Sequence, residues 1–242
     1  MINRSNELQK IRRLEETHFY FCQKRRIINW AIEHFSNKDA IIIDLSCSAG
    51  VDIKLFDNAI GMDLDIKALK AADKYTDQLI NADANDIPLR DSSVDIVLAM
   101  DLLSVNTVNK PKVIEEMDRI LVPEGIVLVN LPSLQFMFSR HDLSGRNKRR
   151  YCRKDVKDMF RDLNWKIRFI SHWTMIMLPI ALLQRKVIAE IFAGEDYSDL
   201  IEMPGRINSI FDMIYKIEFA LFKKKVIPFG LSLFAIVGKN EY

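Results

Sequence analysis

Short, continuous apolar runs alternate along this chain with longer stretches in which apolar residues recur every three or four positions. The runs are Ala40–Ile43, Ala59–Met62, Leu79–Ala82 and Val94–Met100, with a fifth, Ile126–Leu131, after a Pro123-Glu124-Gly125 turn. Each is bounded by turn signals and rich in Ile, Val and Leu, as strands buried on both faces of a parallel sheet require. The first four end in acids: Asp44, Asp63, Asp83 and Asp101. Helical spacing predicts a helix over about 5–36, with an apolar stripe at Ile27, Ile28, Trp30, Ala31, Ile32 and Phe35. Further helices are expected after Gly50, over Ile66–Tyr75, and from Pro111, which suits a first helical turn, to Leu121. The order β-α-β-α-β-loop-β-α-β predicts a doubly wound parallel α/β sheet with helices on both faces.

The second half is patterned differently. Pro132 to Arg150 is irregular and basic, Asp155–Leu163 reads as an amphipathic helix and Trp165–Trp173 as a strand. Met175–Phe192 is very apolar and mostly helical, Gly194–Gly205 is a polar loop, and Ile207–Phe222 is a helix closed by Lys223, Lys224 and Lys225. Three lysines there complement the negative end of the helix dipole. Leu231–Val237 is a last buried strand. The expected organisation is one domain over 1–242: an N-terminal helical cap (1–37), a ligand-binding core (38–132), and a substrate-side half with a helical lid (133–242).

The stretch from Ala40 to Asp65 carries the strongest chemical signal. A strand ends in Asp44, small residues follow at Ser46, Ser48, Ala49 and Gly50, and a second strand ends in Asp63. This is half of a nucleotide-binding unit: the small turn lets backbone approach a ligand, and the acid is placed to bind a ribose diol. The dinucleotide fingerprint wants a small residue at its sixth position, where this chain has Val51, which disfavours a nicotinamide-dependent oxidoreductase.

Composition narrows the picture little. The 242 residues carry a net charge of +2, with 49% hydrophobic and 28% charged residues, so no global field points to nucleic acid. Cys22, Cys47 and Cys152 form neither a disulfide framework nor a metal-ligand pattern, so a reducing compartment and no metal are expected. The N-terminus reads without a secretory leader and Met175–Leu183 is too short to span a bilayer, so a cytoplasmic location is expected.

Asp44 with Ser46, Ser48 and Gly50 resembles the D-x-G-x-G-x-G motif of class I S-adenosylmethionine-dependent methyltransferases, serines standing where two of the glycines would be. Asp83-Ala84 followed by Ile87-Pro88, the V-D-I-V start at Val94, and Arg119-Ile120-Leu121-Val122-Pro123-Glu124-Gly125 resemble the family's later motifs, in its order, over about residues 38–132. The resemblance implies a Rossmann-like seven-stranded sheet, its last strand antiparallel, and S-adenosyl-L-methionine as cofactor. It implies that Asp44 reaches the ammonium of the cofactor's methionine part and that Ser46, Ser48 and Gly50 lie against that part. Asp63 would hold the ribose diol, Leu64 would pack on the adenine, Asp83 and Ala84 would bind its edge, and Met100 would line the floor beside Asp101. Flanking segments, Glu16–Phe21 and Ile227–Ser232, look like a small-molecule branch acting on sugars, lipid-linked compounds or natural products. The alternative is a methyltransferase-fold protein without turnover that serves as a binding or assembly partner.

If the nucleophile is a hydroxyl, it needs a base within hydrogen-bond reach; the candidates are His18, His141, Asp101 and Tyr20. Asp is also a favoured helix cap, and a histidine on a helix or strand is as readily a packing residue. Ser104 stands where this family often shows a histidine. The basic loop 140–154 offers arginines for an anionic acceptor group. The segments over 175–192 and 207–222 are expected to form a lid, to shelter a lipid tail, to rest on a membrane surface or to make a dimer contact.

Overall fold

The computed structural model describes residues 13–37, 39–163, 165–183 and 204–239. A helical segment over 13–17 breaks at His18 and resumes as α1 (Phe19–Phe35). The break has a local cause: His18 is extended, at φ −69° and ψ 134°, and its ring Nδ1 accepts the Tyr20 N–H as an N-cap. The remaining elements are β1 (Ile42–Leu45), β2 (Ala59–Asp63), α2 (Ile66–Ala72), β3 (Leu79–Asn81), β4 (Val94–Met100), α3 (Lys110–Ile120), β5 (Leu121–Pro132), α4 (Arg140–Ser144), α5 (Arg153–Met159), β6 (Trp165–Trp173), α6 (Leu178–Leu183), α7 (Gly205–Lys223) and β7 (Ser232–Lys239).

The seven strands form one sheet in the order β3-β2-β1-β4-β5-β7-β6. The first five are parallel, and β7 runs antiparallel between β5 and β6. The alternation of a pleated strand sorts side chains to two faces. Ile42, Ile96, Leu98, Ile126, Leu128 and Phe234 face α1 and α7, meeting Ile27, Ile28, Tyr215 and Phe222. Ile43, Leu45, Val97, Ala99, Val127 and Val129 face α3 and α5, meeting Val113, Met117, Ile120 and Val156.

Several expected elements are redrawn. No helix follows Gly50: residues 51–55 are turns, because only Val51 to Asn58 separate the loop from β2, too few for a helix and its return. The strand expected from Ile126 begins at Leu121; Val122–Gly125 loop out of the β4 pairing, with Glu124 at φ 68°, so the expected turn sits inside β5 as an irregularity. The expected irregular stretch 132–150 contains a 3-10 turn, Gln135–Met137, and α4. The 5–12 part of the first expected helix, residues 184–192 of the apolar one, and most of the 194–205 loop lie outside the described residues.

Candidate active site

Strand order reverses between β1 and β4, and in open α/β sheets the crevice at the carboxyl ends of such strands is where ligands bind. Here those ends bring together Asp44, Ser46, Met100 and Asp101. The loop after β1 is held in an unusual backbone. Ser46 and Ser48 take φ 78° and 51°, and Gly50 takes 73°, so three alternate residues lie in the left-handed region. That conformation costs an L-residue roughly 1–2 kcal/mol. The loop is tied down by the Ser46 and Cys47 N–H groups, both donating to the Met62 carbonyl at 2.8 and 3.0 Å. At Gly50 a side chain would also lack room, since a Cβ would lie 2.7 Å from that of Ala72.

Asp63, at the end of β2, is half-buried and links two backbone segments. Its Oδ2 accepts the Ser48 N–H and its Oδ1 the Asp65 N–H, each at 2.9 Å. Each carboxylate oxygen retains an acceptor site, so the group can still take a diol. Leu64 beside it is 67% exposed, with its face uncovered. Asp83 closes an Asx turn, accepting from the Asn85 backbone and side chain, and Ala84 is buried. Arg119 is structural: it donates to the carbonyls of Ile87 and Leu89 and pairs with Glu116 and Asp91, fixing the 87–91 loop to α3.

Asp44 is 2% exposed, and its Oδ1 has no hydrogen-bond partner among the described residues. Burial first, then the charge of Asp52, pushes its carboxyl up to about 8. Around it the chain supplies charges that sequence reasoning missed. Lys24 of α1 reaches Asp52 at 2.6 Å, Arg25 lies 3.8 Å from the same carboxylate, and Glu15 accepts from the Ser48 hydroxyl at 3.3 Å. Burial works against the Lys24 ammonium, but Asp52 and Asp101 outweigh it and hold its pKa above the usual lysine value. The space left among Glu15, Lys24, Asp44, Ser48, Asp52 and Met100 is about 40 Å³. The 13–17 segment is strapped across this loop: Glu16 bonds Lys74 at 2.6 Å and also the Tyr75 hydroxyl, while Arg25 donates to the Glu15 and Glu16 carbonyls. Only Lys24 and Arg25 in a basic run signalled any of this in the sequence, and such a run reads as a solvated face.

Sharing Ser46 and Met100 with that space is a second cavity of about 400 Å³. His18, Tyr20, Asp101, His141, Met177 and Tyr215 are among its lining residues, so all four candidate bases meet there. Asp101 leaves β4 at φ 63°, its Oδ1 accepting from Asn130 Nδ2 at 2.8 Å; burial raises its pKa, opposed by Lys24. Tyr20 stacks on Trp173 at 5.0 Å, and burial, then the Asp101 charge, raises its hydroxyl. Burial lowers the pKa of His18, and its Nδ1 is engaged as the α1 cap. His141 sits in α4 at the cavity wall. Ser104 lies just outside, its hydroxyl 2.6 Å from both the Asp101 carbonyl and the Asn147 side-chain amide. The basic loop turns inward: Arg150, 5% exposed, pairs with Asp142 at 3.0 Å and donates to the Ser133 and Leu231 carbonyls. His172 lies apart on β6, near Ser133.

A larger open groove, about 1070 Å³, lies at the amino ends of the strands beside Asp95, Gly125 and Lys239. It holds none of the candidate cofactor ligands or bases.

A family model described as a methyltransferase domain matches residues 43–129. An uncharacterized protein of Methanocaldococcus jannaschii is 25% identical over 111 residues, which span 45% of this chain and 44% of that protein, less than half the relative's length. Among solved structures, a chain from the Haloferax volcanii complex containing the Trm112 methyltransferase activator superposes with a TM-score of 0.63 at 16% identity, covering 98% of this chain and 96% of its own. A SAM dependent methyltransferase from Archaeoglobus fulgidus gives 0.59 at 13% identity, covering 96% and 99%. At these identities the structures speak for the fold. Over β1 to β5 the chain is thus similar to a methyltransferase domain, and its seven-stranded sheet has the Rossmann-like methyltransferase fold.

Proposed function

We propose that this chain transfers a methyl group from S-adenosylmethionine to a small acceptor held in the 400 Å³ cavity at the carboxyl edge of the sheet. The observation that carries this reading is Asp44: a buried carboxylate with an orphaned oxygen, beside a loop whose backbone is held in the left-handed region at three alternate positions. A buried acceptor without a partner is costly, and an ammonium at that position removes the cost. Asp44 would take the cofactor's ammonium, Asp63 its ribose hydroxyls, and Asp83 and Ala84 its adenine edge. The space beside Asp44 is about 40 Å³, room for little more than water, so binding the methionine part requires the Lys24–Asp52 pair to part.

The bound cofactor supplies a sulfonium, already an activated electrophile. The chain's own contribution is to position the acceptor, exclude water, and take a proton. Asp101 is best placed for the last: it faces the cavity, is oriented by Asn130, and burial raises its basicity. The lining of Phe19, Tyr20, Phe21, Leu102, Met177 and Tyr215 suits an apolar or aromatic body with one hydroxyl or amine directed at Asp101. Arg150 is already matched by Asp142, which supports a neutral or cationic acceptor over an anionic one. In a tritiated-methyl transfer assay, alcohols and amines with apolar bodies are expected to be labelled and sugar phosphates not. Asp101→Asn should lower kcat by about 10²–10⁴-fold, the usual contribution of a positioned base. Label transferred equally by that variant would remove Asp101 from the reaction.

The Lys24–Asp52 pair favours a second reading, a binding or assembly role without turnover. No binding of S-adenosylhomocysteine and no label transfer would decide for it.

A further inference from the structure

The outer face of α7 belongs neither to the core nor to the cavity. Its inner face buries Tyr215, Glu218 and Phe222. On its outer face Ile207, Ile210, Met213, Ile217 and Leu221 are 44%, 55%, 60%, 61% and 38% exposed. Their spacing of three and four residues makes one stripe along the helix. At 1.5 Å per residue the stripe runs about 21 Å. It continues past the helix end into Val226 and Phe229, 56% and 46% exposed, and α6 adds Ile180 and Leu183 at 43% and 56%. A contiguous exposed apolar surface of this kind marks an interaction site.

The charge around the stripe is one-sided. Lys224 and Lys225 are exposed at its C-terminal end, Arg206 at its start, and Lys216 and Lys223 along its border. The acids of the helix are spent elsewhere. Glu218 is buried and accepts the Thr174 and Ile176 N–H groups. Asp212 pairs with Arg26 at 2.7 Å and Lys216 at 3.4 Å. An unbroken apolar stripe bordered by cations, on a helix lying flat against its own domain, is the pattern of an interfacial helix on an anionic lipid surface.

We infer that the outer face of α7 docks this chain on an anionic membrane surface. Docking does not depend on methyl transfer; Tyr215 lines the cavity from the inner face of α7, so the helix would lie between that cavity and the lipid.

The test is co-sedimentation of the full chain with vesicles of phosphatidylcholine alone or of phosphatidylcholine and phosphatidylglycerol at three to one. Wild type should pellet with the mixed vesicles and not with phosphatidylcholine alone. Ile210→Asp/Ile217→Asp, at positions already in solvent, should abolish pelleting while leaving circular dichroism and melting unchanged. Replacing Lys223, Lys224 and Lys225 by alanine should weaken it at least tenfold. Failure of wild type to pellet with the mixed vesicles would overturn the proposal, as would pelleting that survives both variants. So would a dimer in light scattering that Ile210→Asp/Ile217→Asp dissolves without any vesicle binding.

Discussion

Asp44 combines a functional group and a stability cost in one side chain. Its carboxyl sits at about 8 in the fold against 3.8 ordinarily, so the native state binds more protons than the unfolded chain across that interval. Stability must therefore fall as pH rises through the window. Glu15 and Asp101 are displaced in the same direction by burial. His172, lowered by burial to about 4 from 6.5, acts oppositely, but its effect is complete above pH 6.5. Urea midpoints should thus decline between pH 6.5 and 8, and Asp44→Asn should flatten the decline; a midpoint rising over that range would refute the assignment. Ser46 offers a second test. Glycine there relieves the strain of φ 78° but gains unfolded-state entropy, so Ser46→Gly should stabilise by a net of about 0.5–1 kcal/mol in denaturant titration. It should leave cofactor affinity equal or better.

At the scale of elements, the site is locked by contacts between strands distant in sequence. Asn130 of β5 donates to Asp101 beyond β4 and accepts from Trp173 of β6 at 2.9 Å, inside a buried sheet. Asn130→Ala orphans two buried groups, each worth about 1–3 kcal/mol, and should lower thermal stability accordingly; it should also loosen Tyr20, which stacks on Trp173. A melting temperature within a degree of wild type would show that those groups find other partners. Gly230, leading into β7, passes so close to β6 that a Cβ would collide with the Trp173 carbonyl, so Gly230→Ala should prevent or severely weaken folding, read as loss of soluble protein. Elements of this kind divide what the sequence discloses from what it hides. Apolar runs place six of the seven strands, while β6, only partly buried, is legible from its alternation. The lone Asn130 within Val127–Leu131 was a visible signal of a buried polar contact. The absent helix after Gly50 was readable only by counting the eight residues to β2. The Lys24–Asp52 pair was not readable at all, since it joins positions 28 residues apart by a fold-dependent approach of α1 to the loop.

Across the whole molecule, the sheet sets acids at one edge and the helices close over them. The family model covers residues 43–129, which carry Asp44 and Asp63, and the residues after them supply α6, α7 and much of the cavity wall. Among the described residues no helix is long and apolar enough to cross a membrane. The proposed function has a buried acid at the end of β1 and a second acid at the end of β2 gripping one cofactor between them. Isothermal titration with S-adenosylhomocysteine at pH 8, beside NAD as a control, tests this most directly. The expected result is one site per chain for S-adenosylhomocysteine, none for NAD, and a loss of about 1–3 kcal/mol in Asp63→Ala, where ribose hydroxyls lose a charged acceptor. Binding of NAD alone, or an affinity for S-adenosylhomocysteine that Asp44→Asn and Asp63→Ala leave unchanged, would contradict it.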